Sequence, residues 1–119
     1  MDKKIMICDD SKEILDLLAI ILTAEGYLIE TESESSRLMS RITKNIPDLL
    51  ILDLWMPIIN GEQILKLIKA TPALSNIRVI LISASLDGKL AYKSSNADDY
   101  INKPFDIDDL LSKVTAQLT

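Results

Sequence analysis

Three runs of four apolar residues are the feature that most constrains the fold of this chain. They occupy residues 5–8, 49–52 and 79–82, and shorter apolar stretches lie at 28–29 and 100–101. Runs that are apolar at every position are typical of strands buried on both faces, as in a parallel sheet covered by helices. The sequence therefore predicts five buried strands.

Segments with helical periodicity separate these strands. Their apolar positions are Ile14, Leu17, Leu18, Ile21 and Leu22; Leu38, Met39, Ile42 and Ile46; Ile64, Leu65 and Ile68; and Ile107, Leu110, Leu111, Val114 and Leu118. Gly26, Asn60 and Asp106 stand where helix caps are expected. A further helix is expected over 86–96. Right-handed crossovers between alternating strands and helices predict a doubly wound α/β sandwich, in one domain spanning residues 1–119.

Charge and residue content exclude several classes of function. The formal charge of −5 and the lack of a Lys/Arg cluster argue against nucleic-acid binding. The chain has no histidine, which excludes Ser-His-Asp catalysis, histidine-ligated zinc and a phosphohistidine of its own. No apolar run approaches the ~18 residues of a membrane span, and no signal segment opens the chain, so we expect a cytoplasmic protein. The single cysteine, Cys8, is expected in the core.

Polar residues follow the apolar runs directly. Asp9 and Asp10 follow the first strand, Asp53 the third and Ser83 the fourth, while Lys103 comes shortly after the fifth. The carboxyl ends of parallel strands share one edge of a sheet, and ligands bind there at a topological switch point. We therefore expect three carboxylates, one hydroxyl and one ammonium group to converge.

This set of groups predicts a magnesium site beside a carboxylate that accepts a phosphoryl group. Three carboxylates a few ångströms apart repel by about 1 to 4 kcal/mol per pair, so one lysine supplies too little positive charge. Hard oxygen ligands suit Mg²⁺. Asp53 stands alone at its strand end and is the candidate nucleophile, whereas Asp9 and Asp10 are better placed to hold the metal. Ser83 and Lys103 can each contact a phosphoryl oxygen.

Each of these residues also has a simpler structural interpretation. Asp10 could cap the first helix, Ser83 could be a turn residue and Lys103 a solvated loop charge. Their joint position at predicted strand ends favours the functional interpretation. The pair Asp98-Asp99 is instead expected to be a solvated turn before the fifth strand.

The chain resembles the receiver domain of two-component response regulators over essentially its whole length. The resemblance rests on Asp9-Asp10, on Asp53-Leu54-Trp55-Met56-Pro57 with Gly61, on Ser83-Ala84 and on Lys103-Pro104-Phe105. It implies a flavodoxin-like (βα)5 sandwich with strand order 2-1-3-4-5. It also implies phosphorylation of Asp53 by a histidine kinase or a histidine phosphotransfer protein.

The resemblance further implies a role for each residue of the site. Mg²⁺ would be held by Asp10, Asp53 and the backbone carbonyl of Trp55, with Asp9 acting mainly through water. The bulky Trp55 side chain is expected to shield the phosphoryl group from water and to slow its hydrolysis.

A switch between two conformations is implied as well. Ser83 and Lys103 match the switch hydroxyl and the lysine of the family, and Tyr100 matches its switch aromatic. Phosphate on Asp53 would draw the Ser83 hydroxyl toward it, and Tyr100 would turn inward to fill the vacated space.

Departures from the family concern the output surface. The stretch from Ser83 to Lys103 is slightly shorter than usual, and Asn96 stands where glycine is common. If the chain is complete, output is expected through an unknown downstream protein or a homodimer. The chain could instead be a receiver excised from a longer regulator or hybrid kinase, and the sequence does not decide between these two. The chain is not expected to be an enzyme beyond assisting its own phosphorylation and dephosphorylation.

Three alternatives compete with the receiver. A phosphatase of the haloacid-dehalogenase type needs a second acid two residues past its nucleophile, where this chain has Trp55. A flavodoxin-like cofactor binder needs a loop rich in glycine and hydroxyl groups after the first strand, where this chain has Asp9 and Asp10. A pseudo-receiver that binds partners without phosphorylation remains open, although all five residues of the site are chemically competent.

Overall fold

Among the residues that the structure describes, five strands and four helices follow one another along the chain. The structure is a computed structural model that describes residues 2–84, 92–93 and 95–119. Its elements are β1 (Lys4–Cys8), α1 (Lys12–Ala24), β2 (Leu28–Glu32), α2 (Ser35–Lys44), β3 (Leu49–Asp53), α3 (Gly61–Ala70), β4 (Arg78–Ser83), β5 (Asp99–Asn102) and α4 (Ile107–Leu118). Residues 86–91 and 94 of the helix expected over 86–96 lie outside the described residues. Among the helices described, none has the length and apolarity to span a membrane.

All five strands pair in parallel in the order β2-β1-β3-β4-β5. The predicted doubly wound sheet is therefore confirmed. In this register Asp53 lies opposite Ile82, and Ser83 lies opposite Asn102. The carboxyl ends of β3, β4 and β5 thus form one continuous edge, and they bring the polar residues that follow the strands to the same end of the sheet.

The core lies on both faces of the sheet. Met6 and Leu50 pack with residues of α2 and α3, whereas Ile5 and Ile51 pack with residues of α1 and α4. Neighbouring residues of a strand point to opposite faces, so β3 is buried at every position, and β1 and β4 are buried at every position after the first. This arrangement explains the continuous apolar runs. Cys8 is fully buried, as expected.

The buried face of α1 differs from the predicted one. Leu15, Leu18 and Leu22 are buried, whereas Leu17 is 45% exposed. This helix is apolar on more than one side, so its periodicity is compatible with two stripes and only the packing selects one. Ile46 and Ile107, also expected in apolar stripes, are both about half exposed.

The helix caps agree with the sequence in part. Asn60 Oδ1 accepts a hydrogen bond from Gln63 N at 2.9 Å, and Gln63 Oε1 accepts one from Asn60 N at 3.0 Å, which forms a capping box at the start of α3. Asp106 occupies the N-cap position of α4 without a side-chain hydrogen bond. The first helix is capped by Ser11 rather than by Asp10, which leaves the Asp10 carboxylate available at the sheet edge.

The prediction that Asp98 and Asp99 form a solvated turn is wrong. The Asp98 carboxylate accepts a hydrogen bond from Val79 N at 2.8 Å and lies 3.3 Å from Arg78 Nη1 and 3.6 Å from Lys69 Nζ. Asp99 is the first residue of β5. Asp98 therefore ties the start of β5 to the start of β4 and to α3, contacts that are remote in sequence.

Gly61 allows α3 to start directly against the end of β3. Its backbone N donates to Leu54 O at 2.9 Å. A Cβ atom at this position would lie 2.4 Å from Asp53 O and 2.9 Å from Leu54 Cα, both of them backbone atoms. Backbone atoms cannot move aside as a flexible side chain can, so only glycine fits here.

We expect Gly61→Ala to lower the free energy of unfolding by about 1 to 3 kcal/mol, because the new methyl group pushes against the backbone of Asp53. Urea unfolding and the emission of Trp55 would measure the effect. Gly26→Ala is the control, since a Cβ there meets no atom within 4 Å and only the φ of 93° is unfavourable. It should destabilise the fold without changing Trp55 emission. A Gly61→Ala protein with wild-type stability and emission would contradict this account.

Candidate functional site

Three carboxylates meet at the carboxyl edge of the sheet. Asp9 and Asp10 follow β1, and Asp53 is the last residue of β3. One oxygen from each lies within 4.8 Å of the other two, so a single cation could contact all three. Asp9 and Asp53 are buried and Asp10 is exposed, which leaves the group open to solvent on one side.

Lys103 enters this group from the far end of the sheet. Its Nζ lies 2.7 Å from Asp9 Oδ2 and 3.7 Å from Asp53 Oδ1. Its backbone N donates to Ser83 O at 2.9 Å, which extends the pairing of β4 with β5 by one step. The peptide bond between Lys103 and Pro104 is cis. The lysine is thus held by backbone contacts while its side chain crosses to the carboxylates.

The environment of Asp53 favours its protonated form. Burial and the neighbouring Asp9 carboxylate raise the pKa of Asp53 from its ordinary 3.8 to about 7. The Lys103 ammonium group and the Trp55 N–H, 3.3 Å from Asp53 Oδ1, lower the pKa and only partly offset this rise. A buried carboxyl poised near neutral pH marks a functional site more often than a structural one.

The residues present fit a magnesium ion. When Asp53 is ionised, three carboxylates against one ammonium group leave two net negative charges at this edge. The buried Asp9 Oδ2 contacts Lys103 Nζ at 2.7 Å and, within the described part of the chain, accepts no other hydrogen bond. An oxygen-only donor set with residual negative charge and one solvent-facing side is what Mg²⁺ prefers, because it keeps several of its waters.

The other predicted site residues, Ser83, Trp55 and Tyr100, differ in their burial and in their position along the sheet. Ser83 is fully buried at the end of β4, one step beyond Ile82, the residue that pairs with Asp53. The Trp55 side chain is 53% exposed beside the site. Tyr100 does not lie at the carboxyl ends of the strands. It lies within β5, is only 7% exposed, and belongs to the core cluster shared with α2 and α3.

Comparison with known proteins identifies the family. The profile of the response regulator receiver domain matches residues 5–115. The chain belongs to this family. The receiver domain of two-component response regulators therefore accounts for nearly the whole described fold.

Individual relatives agree with this assignment. The response regulator ArlR of Staphylococcus aureus is 37% identical over 120 residues, which cover 97% of this receiver and 52% of ArlR. A CheY-like response regulator receiver domain protein from Methanospirillum hungatei JF-1 is 30% identical, with a TM-score of 0.88 and coverage of 99% and 94%. The BeF3-activated DrrB receiver domain is 27% identical, with a TM-score of 0.87 and coverage of 99% and 98%. The chain spans about half the length of the curated relatives it matches.

A partly buried ion pair next to the receiver's acidic edge was not predicted from the sequence. Glu32, at the end of β2, is buried, and its Oε1 lies 3.2 Å from Arg41 Nη1. The same guanidinium group donates to Thr31 O at 2.6 Å and pairs with Glu30 at 3.3 Å. The Glu32 carbonyl in turn accepts from Asp9 N at 3.2 Å. The sequence predicted only a short apolar stretch at 28–29 for β2. Had the strand been extended to Glu32 in register with β1, Glu32 would have been placed beside Cys8, as the structure shows.

Arg41 balances the charge of this fourth carboxylate. Burial is the main cause that raises the pKa of the Cys8 thiol to about 12, and the negative charges of Glu32 and Asp9 add to it. The charge of Glu32 therefore acts on the same end of β1 as the charge of Asp9. An unpaired Glu32 would add to the repulsion among Asp9, Asp10 and Asp53. Its pairing with Arg41 limits the local charge to the level that one lysine and one divalent ion can balance.

We expect the stability of the metal-free receiver to fall as pH rises from about 4 to about 8. The pKa of Asp53 is higher in the folded chain than in the unfolded chain, so its contribution is complete below pH 3.8 and is lost through pH 7. The loss amounts to at most about 4 kcal/mol. Urea unfolding in EDTA at several pH values would measure it.

Asp53→Asn should remove this part of the pH dependence, and Mg²⁺ should stabilise the wild type more at pH 8 than at pH 5.5, since it binds the ionised carboxylate. Asp16→Asn, which removes an exposed carboxyl of α1, should keep the wild-type slope. Equal slopes for the wild type and Asp53→Asn would refute the assignment of the effect to Asp53.

Proposed function

We propose that Asp53 is the phosphoacceptor of this receiver and that a histidine kinase or a histidine phosphotransfer protein supplies the phosphoryl group. The observation that carries the proposal is the buried Asp53 carboxylate, reachable by one cation together with Asp9 and Asp10 and lying 3.7 Å from Lys103 Nζ. Family membership supports it, since the matched region contains every residue of this group. Residues 1–119 act in this proposal as one signalling domain.

The transfer requires an ionised nucleophile. An Asp53 carboxylate oxygen forms a bond to phosphorus while the bond from phosphorus to the donor imidazole nitrogen breaks. With a pKa of about 7, Asp53 is only partly ionised near neutral pH in the absence of a cation. Mg²⁺, when bound, supplies positive charge that favours ionised Asp53 and offsets the charge of the phosphoryl oxygens. Asp9, Asp10 and the Trp55 carbonyl would hold it with Asp53.

Lys103 contributes a fixed positive charge to the same transfer. Its ammonium group lies between Asp9 and Asp53, where it can move to a phosphoryl oxygen once Asp53 is phosphorylated. Ser83, buried one step past the residue that pairs with Asp53, can donate its hydroxyl hydrogen to another phosphoryl oxygen. The chain thus offers two donors, Lys103 and Ser83, to the phosphoryl oxygens.

Ser83 and Tyr100 form the proposed switch. Tyr100 points inward, its ring stacks on that of Tyr92 with centroids 6.2 Å apart, and its hydroxyl donates to Asn102 Oδ1. A phosphoryl group that draws Ser83 toward Asp53 would favour this inward position over an outward one. The surface around β4 and β5 would then change, and a downstream protein would read that change.

The proposal predicts a single phosphate on Asp53. We expect incubation with acetyl phosphate and Mg²⁺ to add one phosphate to the receiver, detected by intact mass and labile to base. Asp53→Asn should abolish the addition. Asp48→Asn, which changes an exposed carboxyl at the opposite end of β3, should leave it unchanged.

Magnesium dependence separates the two candidate functions. A receiver loses labelling in EDTA and regains it on addition of Mg²⁺. A pseudo-receiver takes no label, although it keeps a folded core that unfolds cooperatively in urea. Absence of label on folded wild type in the presence of bound Mg²⁺ would refute the phosphoacceptor role and favour the pseudo-receiver.

The exposed Trp55 ring offers a second prediction. Trp55 lies two residues past Asp53 and its side chain is exposed, so we propose that the ring limits the approach of water to the acyl phosphate. We expect Trp55→Ala to shorten the half-life of phospho-Asp53 several-fold, measured as loss of the added mass after removal of the donor. Ile20→Ala removes an exposed apolar side chain from α1 and should leave the half-life unchanged. Equal decay in all three proteins would contradict the shielding role.

A further inference from the structure

A strained turn lies in the loop that joins β3 to α3. Ile58 has a φ of 72°, in the left-handed region that β-branched residues rarely occupy. Ile59 N donates to Pro57 O at 2.9 Å, so these three residues form a γ-turn with Ile58 at its centre. The Ile58 side chain is 84% exposed and gains little from packing. Something other than this side chain must therefore maintain the turn.

The Ser35 hydroxyl bonds to both sides of this turn. Ser35 is the first residue of α2, and it is buried. Its Oγ donates to Pro57 O at 2.9 Å and accepts from Ile59 N at 3.3 Å. One hydroxyl group thus satisfies the peptide groups that flank the left-handed residue. These contacts join segments 22 and 24 residues apart in the sequence.

The turn is close in sequence to the acidic edge. At the other end of the loop, Leu54 N donates to Ile82 O at 3.0 Å, and Leu54 O accepts from Gly61 N at 2.9 Å. Between Leu54 and Pro57 lie only Trp55 and Met56. Trp55 is therefore held between an anchor on the sheet and an anchor on α2.

Met56 adds a buried contact within the same span. It is buried, and its Sδ lies 3.7 Å from Cys8 Sγ. The Trp55 N–H points to Asp53 Oδ1 at 3.3 Å. A shift of Pro57 would therefore move backbone that contacts the Asp53 carboxylate directly.

We propose that Ser35 is a positioning residue, which maintains the left-handed turn at Ile58 and thereby orients the backbone of Trp55 toward the cation site. This inference rests on the proposed function, because the Trp55 carbonyl is part of the proposed magnesium site. Loss of a residue that orients a metal ligand typically lowers the affinity of the site for the metal by about 10- to 100-fold. Ser35 therefore influences the site without contacting the cation.

The test is a magnesium titration followed by the emission of Trp55, the single tryptophan of the chain, with calorimetry as an independent measurement. We expect Ser35→Ala to weaken Mg²⁺ binding by about tenfold. Ser36→Ala is the matched control, since Ser36 is the exposed neighbour on the same helix, and should keep wild-type affinity. Ser35→Cys is the second variant, for use if Ser35→Ala is unstable. It retains the approximate size of the side chain but has a weaker hydrogen-bond donor, so we expect an affinity for Mg²⁺ between those of the wild type and Ser35→Ala.

A second substitution distinguishes positioning from general destabilisation. Ile58→Asn places a residue that tolerates positive φ at the centre of the turn, so the turn should depend less on Ser35. We expect Ser35→Ala to weaken Mg²⁺ binding by less than about threefold in the Ile58→Asn background. A merely structural role of Ser35 would give the same loss in both backgrounds.

The outcomes separate this inference from the proposed function. Wild type that binds Mg²⁺ while Ser35→Ala and Ser35→Cys bind it equally well overturns the positioning role and leaves the proposed function intact. Equal losses in the wild-type and Ile58→Asn backgrounds also overturn it. Wild type that binds no Mg²⁺ overturns both. A loss specific to Ser35 that Ile58→Asn reduces supports the inference.

Discussion

The repulsion between the buried carboxylates of Asp9 and Asp53 is the interaction on which the rest of this structure depends. Both groups lie where water cannot screen them, so their proximity raises the free energy of the folded chain unless positive charge is close. Lys103 provides part of that charge and lies nearest Asp9. The negative charge that Lys103 does not balance gives this edge its affinity for a cation, and a bound cation in turn favours a phosphoryl group there.

The surrounding backbone holds this unfavourable arrangement in place. Asp53 cannot move away from Asp9, because Leu54 is bonded to β4 and α3 begins directly against the end of β3 at Gly61. Arg41 pairs the additional carboxylate of Glu32. The fold thus stores electrostatic free energy at one edge and stabilises itself through the apolar packing of the other end and both faces of the sheet.

The sequence predicted the sheet and the acidic edge well, because both depend on local patterns. A run of apolar residues followed by a polar one defines both a buried strand and the residue at its carboxyl end, and parallel topology then collects those residues. The buried face of α1 was predicted only in part: Leu18 and Leu22 are buried, whereas Leu17 is exposed. A helix that is apolar on several sides has no single preferred face until it packs.

What the sequence did not predict depends on partners remote in the chain. The partly buried contacts of Asp98 involve Lys69 and Val79, and the role of Ser35 involves residues more than 20 positions away. Nothing in the residues beside Asp98 or Ser35 distinguishes them from the solvated polar residues of an ordinary loop or helix start. Such contacts become visible only when the elements pack.

The acidic residues of β2 have a consequence for association between molecules. This strand pairs only with β1 among the described strands, so its other side is a sheet edge with backbone groups that could pair with a strand of another chain. The exposed Glu30 places a charged side chain on it, and the guanidinium group of Arg41 pairs with Glu30 and Glu32 and is bonded to the Thr31 carbonyl. A second β2 approaching this edge would meet charged side chains and one carbonyl already in use. The ion pairs that limit charge at the site therefore also protect the receiver from edge-to-edge aggregation.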